Sequence, residues 1–155
     1  KNRFRKSLRS TIYALITVAA IAILVATLWT PVLKIYGTSM TPALNEGDVV
    51  VSVHQRKYET GDIVGMYYGN KLLVNRIIAG PGEELEEEYL DEKAYGDVSI
   101  DLPYQVPEKR WFVLGDHRET SVDSRNHLVS AVSEEQIGGR LVFRVWPLDN
   151  IGVLE

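Results

Sequence analysis

Few side chains here could do covalent chemistry, and most of the patterns they might form are missing. The chain holds three histidines, His54, His117 and His127, and no cysteine. Lack of Cys removes disulfide scaffolds, thiolate metal sites and cysteine nucleophiles together. No His-Glu-x-x-His pair occurs, and no His/Asp/Glu cluster has metal-ligand spacing, so neither a metal nor a cofactor is expected. The three histidines read as satisfied surface residues. No glycine-rich phosphate loop is present. Among the hydroxyls, Ser39 stands in Gly37-Thr38-Ser39-Met40-Thr41, which lacks the second glycine of a nucleophile elbow. A triad of Ser39, His117 and Asp116 stays open for acyl transfer, with no spacing to support it.

The elements that must carry such residues are easier to read. The chain has 155 residues, with 17 Lys+Arg against 21 Asp+Glu. That length suits one core, or one core with an appended segment. Apolar residues make up 45% and charged ones 25%, which argues against wholesale disorder. The first residue is Lys1 rather than Met, which reads as a trimmed product or a fragment. Residues 1–10 hold five basic groups and no acid. Residues 11–30 hold no charge, and 15 of those 20 are Ala, Val, Ile, Leu or Trp on every helical face. A helix of that length spans about 30 Å, the hydrocarbon thickness of a bilayer. Tyr13 and Trp29 sit near its ends, where amphipathic rings prefer the interface, and Pro31 stops it.

A cleavable signal peptide would have a shorter apolar stretch and a small-x-small site. A buried core helix of this length does not suit so small a domain. A basic arm for nucleic acid is opposed by the acidic remainder of the chain. The expectation is therefore a basic cytoplasmic flank at 1–10, a transmembrane helix at 11–30 and an extracytoplasmic domain at 31–155. Membrane lipid is an expected partner and nucleic acid is not.

The outer segment reads as all-β and mostly antiparallel. Runs at 49–53, 63–68, 72–79, 111–114 and 140–146 predict strands. Gly69-Asn70 predicts a hairpin turn between the second and third. Ser133-Glu-Glu-Gln136 predicts a capped helical turn. Residues 83–92 hold seven acids and read as a solvated loop, and 94–110 as an irregular connection.

Four stretches in chain order change the functional picture. They are Gly-Thr-Ser39-Met40-Thr-Pro42, Gly61-Asp62-Ile63-Val64, Asn75-Arg76-Ile-Ile-Ala-Gly80-Pro81-Gly82 and Gly115-Asp116-His-Arg118-Glu-Thr-Ser121-Val-Asp123-Ser-Arg125. Following an N-terminal span, they resemble the sequence boxes of bacterial type I signal peptidases, as far as about Trp146. Ser-Met-x-Pro alone is weak; Gly-Asp-x-Arg followed by Ser-x-Asp-Ser-Arg is strong. The resemblance implies a signal-peptidase-type β domain and a membrane serine endopeptidase. It would remove signal peptides from exported preproteins with a serine nucleophile and a lysine base. It puts Ser39 at the nucleophile position, with its backbone N–H in the oxyanion hole. Gly37 is the residue found in Gram-positive-like members, so the side-chain oxyanion donor of other members is absent. Ser121 matches the serine that orients the base. Asp123 with Arg125, and Asp116 with Arg76, match polar pairs that brace the site. Met40 and Pro42 shape the nucleophile turn and are implied to be substrate-binding. The implied cleft admits small side chains, giving Ala-x-Ala-type sites.

Independently of the resemblance, eight residue steps separate Pro31 from Ser39, at most about 27 Å. Ser39 is thus tethered close to the outer leaflet, where a signal peptide's cut site also lies.

The departure lies at Asn75, where the family carries its catalytic lysine. Burial lowers a lysine pKa from about 10.4 and frees the amine lone pair. An amide has no comparable basicity; its oxygen can accept from Ser39, and its NH2 can only donate. A positioned base is worth about 10²–10⁴-fold, or roughly 3–5.5 kcal/mol. Lys71 shares the strand face of Asn75 but lies about 13 Å away, beyond a lysine's reach. His117 is the remaining substitute, at a position usually occupied in the family by a non-basic residue such as Asn. A β-hairpin usual after Gly-Pro-Gly is replaced here by the acidic loop. Two readings follow: a signal peptidase impaired at its base, or an inactive pseudo-peptidase that binds secreted or pilin-like chains by strand addition. A plain anchored interaction domain is remote, given four motifs in order. Retained Ser39, Ser121, Asp123 and Arg125 favour the first reading.

Overall fold

The computed structural model describes residues 2–85 and 100–155. It divides into two compact units, residues 1–32 and 33–155.

The first unit is one helix, α1 (Asn2–Trp29). It begins within the basic segment and runs on through the apolar one. Residues 5–26 form a span of membrane-crossing length and apolarity, none of it buried. Leu15, Ile16, Val18, Ile21, Ile23 and Leu24 are all exposed, a larger apolar surface than soluble domains present to water. The threonines fit the same setting. Thr11 Oγ1 donates to the Ser7 carbonyl at 3.1 Å and Thr17 Oγ1 to that of Tyr13 at 2.8 Å. Each hydroxyl is thereby satisfied within its own helix, as hydrocarbon requires.

The second unit is built on an eight-stranded sheet. Its strands are β1 (Val32–Lys34), β2 (Val49–Val53), β3 (Ile63–Tyr68), β4 (Lys71–Ala79), β5 (Arg110–Leu114), β6 (Val132–Ser133), β7 (Ile137–Trp146) and β8 (Gly152–Val153). The spatial order is β1-β2-β7-β3-β4-β5-β6, with β8 on β7. The expected fold is borne out: an antiparallel sheet domain with one N-terminal apolar helix. The five predicted runs are β2, β3, β4, β5 and β7. β7 starts earlier than read, at Ile137, because Gly138 and Gly139 interrupt its apolar pattern. The two- and three-residue strands carry too little periodicity to be read.

β3 and β4 form the predicted hairpin, with Tyr68 opposite Lys71. Gly69 in its turn takes φ +56°, which glycine adopts without steric cost. β4 is buried on both faces. Leu73 and Ile77 pack with Val64, Met66, Trp111 and Val113. Val74 packs with Met40, Ile63 and Leu141, and Ile78 with Phe112 and Leu114. Asn75 lies opposite Val64 and Arg76 opposite Ile63, so consecutive side chains enter opposite faces.

The solvated loop expected over 83–92 is corrected at residues 83–85. Glu84 bridges Gln105, the Leu85 N–H donates to Tyr104 O at 2.9 Å and the Val106 N–H to Glu83 O at 2.8 Å. Leu85 is buried beside Val106 and Phe112. Its burial stabilises pairing where the surrounding acids suggested solvent. Residues 86–92, and 94–99 of the expected irregular connection, lie outside the described residues. At 134–136 the expected turn is a short 3₁₀ helix, and Gln136 Oε1 accepts from Ser133 N–H at 3.0 Å and Ser133 Oγ at 3.1 Å.

Candidate functional site

Ser39 sits on a loop closed at its neck. The Ile35 N–H donates to Asp48 O at 2.8 Å and the Gly47 N–H to Ile35 O at 2.9 Å. Gly37 enters the turn at φ +80°, a conformation that costs a side-chain-bearing residue about 1 kcal/mol or more. Within the turn, the Thr41 N–H donates to Thr38 O and the Leu44 N–H to Met40 O. Met40 is 1% exposed and fixes the turn to the core. Pro42 follows a cis peptide bond and is exposed. Ser39 itself is half-buried.

The loop after β5 meets this turn. The His117 N–H donates to Ser39 O at 2.9 Å. Thr38 Oγ1 donates to Thr120 Oγ1 at 3.1 Å, and His117 Nδ1 lies 2.7 Å from the same Thr120 oxygen. His54 and His127 are exposed as expected, whereas His117 is half-buried and engaged. Gly115 marks the closest approach. A Cβ there would lie 2.2 Å from Ser121 Oγ and 2.7 Å from Ser39 O. Only a residue without a side chain fits between them.

Asn75 reaches the same place from β4. Ser121 Oγ donates to Asn75 Oδ1 at 3.3 Å. Asn75 Nδ2 donates to Val122 O at 3.3 Å and faces Met66 Sδ at 3.9 Å. Asn75 and Ser121 are each 1% exposed. Ser39 and Asn75 thus both abut the Gly115–Ser121 pair, but among the described residues no hydrogen bond joins Ser39 Oγ to Asn75. The acceptor expected to serve Ser39 is engaged by Ser121 instead.

Among the described residues, two ion pairs hold the 115–125 loop. Asp123 and Arg125 are fully buried; Arg125 Nε donates to Oδ1 and Nη2 to Oδ2 of Asp123, each at 2.9 Å. Asp123 Oδ2 also accepts the Gly115 N–H at 3.1 Å, and Arg125 Nη2 donates to Arg118 O. The pair therefore fixes the residue wedged between Ser121 and Ser39. Arg76 grips Asp116 through Nε–Oδ1 at 2.9 Å and Nη2–Oδ2 at 2.8 Å, and donates through Nη1 to Gly61 O. Hydrogen bonding to Asp116 raises the Arg76 pKa further, against the opposing effect of burial. A two-point grip of this kind resists rotation as well as separation. Asp116 directly precedes His117, so this pair steadies the donor to Ser39 O.

Among the described residues, no group of three His, Asp or Glu side chains is arranged to hold a metal. Sequence reasoning missed the Thr38–Thr120 contact and the space requirement at Gly115. The first joins residues 82 positions apart, and the second depends on how two loops meet.

Comparison with known proteins adds an independent result. The family model described as signal peptidase, peptidase S26, matches residues 8–97 and 84–146. Signal peptidase I of Bacillus licheniformis is 31% identical, over 95% of this chain and 93% of that protein. Signal peptidase IB of Staphylococcus aureus strains Mu50 and N315 is 32% identical, over 73% of this chain and 76% of theirs. The matched residues include most of the apolar helix, the Ser39 turn, β4 and the 115–125 loop, and on that extent the chain belongs to the signal peptidase family, peptidase S26.

Proposed function

We propose that this chain is a membrane-bound type I signal peptidase of Gram-positive-like form, in which Asn75 occupies the base position and slows the chemistry. One observation carries the reading: Ser121 Oγ is bonded to Asn75 Oδ1 beside Gly115, against which the Ser39 carbonyl also lies. Ser39 Oγ would lose its proton to solvent, inefficiently for want of a base, as it adds to the scissile carbonyl carbon of a preprotein, and the Ser39 N–H would stabilise the oxyanion. The C–N bond then breaks, the new amine takes a proton, and water releases the acyl group from Ser39.

Position 75 suits a desolvated amine. It is buried among Val64, Met66 and Ile77, and such surroundings depress a lysine pKa. Asn75 supplies no proton acceptor of that strength, so a loss of about 10²–10⁴-fold follows. The basic flank favours a cytoplasmic N-terminus and an outer sheet domain. Substrates are signal-peptide-bearing preproteins with small residues before the cut. The second reading, a pseudo-peptidase that binds secreted or pilin-like chains, draws on the fact that the Asn75 amide is satisfied without Ser39.

The test is cleavage of a model preprotein by the full chain in lipid. Asn75→Lys raises the rate by about two decades or more, and Ser39→Ala abolishes cleavage while peptide binding persists. Cleavage surviving Ser39→Ala removes Ser39 as nucleophile. Binding without cleavage in both the parent chain and Asn75→Lys favours the pseudo-peptidase.

A further inference from the structure

We propose that Arg144 is a positioning residue for Ser39, acting from β7 as a clamp on the loop that carries it. The inference rests on the reading of Ser39 as nucleophile. Arg144 is opposite Val50 in the β2–β7 ladder and is 7% exposed. Its Nη2 donates to the Ala43 carbonyl within the Ser39 turn. Its Nε lies 3.2 Å from Asp48 Oδ2, an ion pair whose N–H is not aligned for a hydrogen bond. Asp48 is 4% exposed and occupies the neck, where its backbone carbonyl accepts from Ile35 and its Oδ2 accepts the Asn45 N–H at 3.0 Å.

One guanidinium therefore holds the loop at two places, its neck and its far side. Met40 and Leu44 attach the loop to the core by apolar packing alone. Such packing is strong but non-directional, so orientation is left to directed bonds: the His117 N–H to Ser39 O on one side of the turn and Arg144 to Ala43 O on the other. The hydrogen bond from Nη2 to Ala43 O fixes orientation as well as depth, and the Asp48 carboxylate holds the guanidinium in place by charge. Ser39 precedes Met40, so rocking about that anchor displaces the hydroxyl. A misplacement of about 1 Å at a reacting group costs about 10²-fold in rate.

The experiment follows amide hydrogen exchange in the full chain, with preprotein cleavage measured in the Asn75→Lys background. Two amides report on separate regions: Leu44, bonded to Met40 O in the loop, and Ile77, bonded to Asp62 O outside it. Arg144→Met speeds Leu44 exchange by about tenfold or more relative to Ile77. It lowers kcat by about tenfold, with KM within about twofold. Arg144→Lys keeps a charged donor near Ala43 and Asp48 and recovers most of both. Equal acceleration of the two amides, unchanged Leu44 exchange, failure of Arg144→Lys to rescue, or a loosened loop with unchanged kcat each overturns the clamp. Exchange is read without substrate. A failed clamp therefore shows in the amides, or in a kcat that ignores a loosened loop, whereas cleavage persisting in Ser39→Ala overturns the nucleophile reading alone.

Discussion

Ser121 Oγ and Asn75 Oδ1 are bonded across 3.3 Å in a place that water does not reach. The bond joins the loop after β5 to the middle of β4, between residues 46 positions apart. It also sets the orientation of the amide, because with Oδ1 towards Ser121 the NH2 faces Val122 O and Met66 Sδ. That fit makes position 75 sensitive to the loss of a single partner.

Ser121→Ala strips the hydroxyl donor from a buried amide oxygen and is expected to cost about 1–3 kcal/mol. Replacing both groups, with Ser121→Ala and Asn75→Leu together, removes the unmet polar atom. The double variant should stay within about 1 kcal/mol of the more stable parent. Denaturant titration of the full chain in detergent reads both. Equal or additive losses would mean that the pair contributes shape alone.

Asn75→Lys makes a different prediction, about pH. A lysine at this buried position has its folded pKa depressed below about 10.4. Only the neutral amine can accept the Ser39 proton, so cleavage by the variant rises with pH through the depressed pKa. Stability moves the same way: between the two pKa values the unfolded chain binds the extra proton, so folding gains as pH rises. Parallel rate and unfolding measurements across pH check this. A pH-independent rate would place the proton acceptor elsewhere, with His117 the nearest alternative.

The strands and the reactive residues differed in how far they could be read from sequence. Val49–Val53 and Ile63–Tyr68 carry β-branched and aromatic side chains at sheet spacing, and they appear with the bounds predicted. The motif residues were also visible, since Ser39, Asn75 and Ser121 could be singled out by type and order. Their coupling could not. The sharing of Asn75 Oδ1 with Ser121 rather than Ser39, and the wedge at Gly115, depend on long-range loop contacts. The same holds for Leu85, whose burial comes from a partner segment beyond the reach of local pattern.

Gly115→Ala tests that wedge. The added Cβ would stand 2.2 Å from Ser121 Oγ, 2.4 Å from Ser121 Cβ and 2.7 Å from Ser39 O. The backbone cannot easily retreat, because Asp123 holds the Gly115 N–H and is itself locked to Arg125. Overpacking of this kind costs about 1–3 kcal/mol. Cleavage should fall further than stability, since both loops of the site are pushed apart. Gly152→Ala, where a Cβ meets nothing within 4 Å, serves as the control, and equal effects at the two positions would count against the wedge.

Tyr58 gives a prediction away from the site. Its hydroxyl is buried without a hydrogen-bond partner among the described residues. Its ring stands edge-on to Trp111 at 5.9 Å. Burial raises its pKa above the ordinary 10.0. The unfolded chain therefore ionises first, and the stabilisation is full below about pH 10 and is lost as pH rises through the folded value. Tyr58→Phe keeps the ring contact and deletes the unmet hydroxyl, so at neutral pH it should equal or exceed the parent in stability. Above about pH 10 the parent should lose stability faster than the variant. Unfolding titrations at neutral and alkaline pH decide it: a clear loss at neutral pH would mean that the hydroxyl has a partner after all.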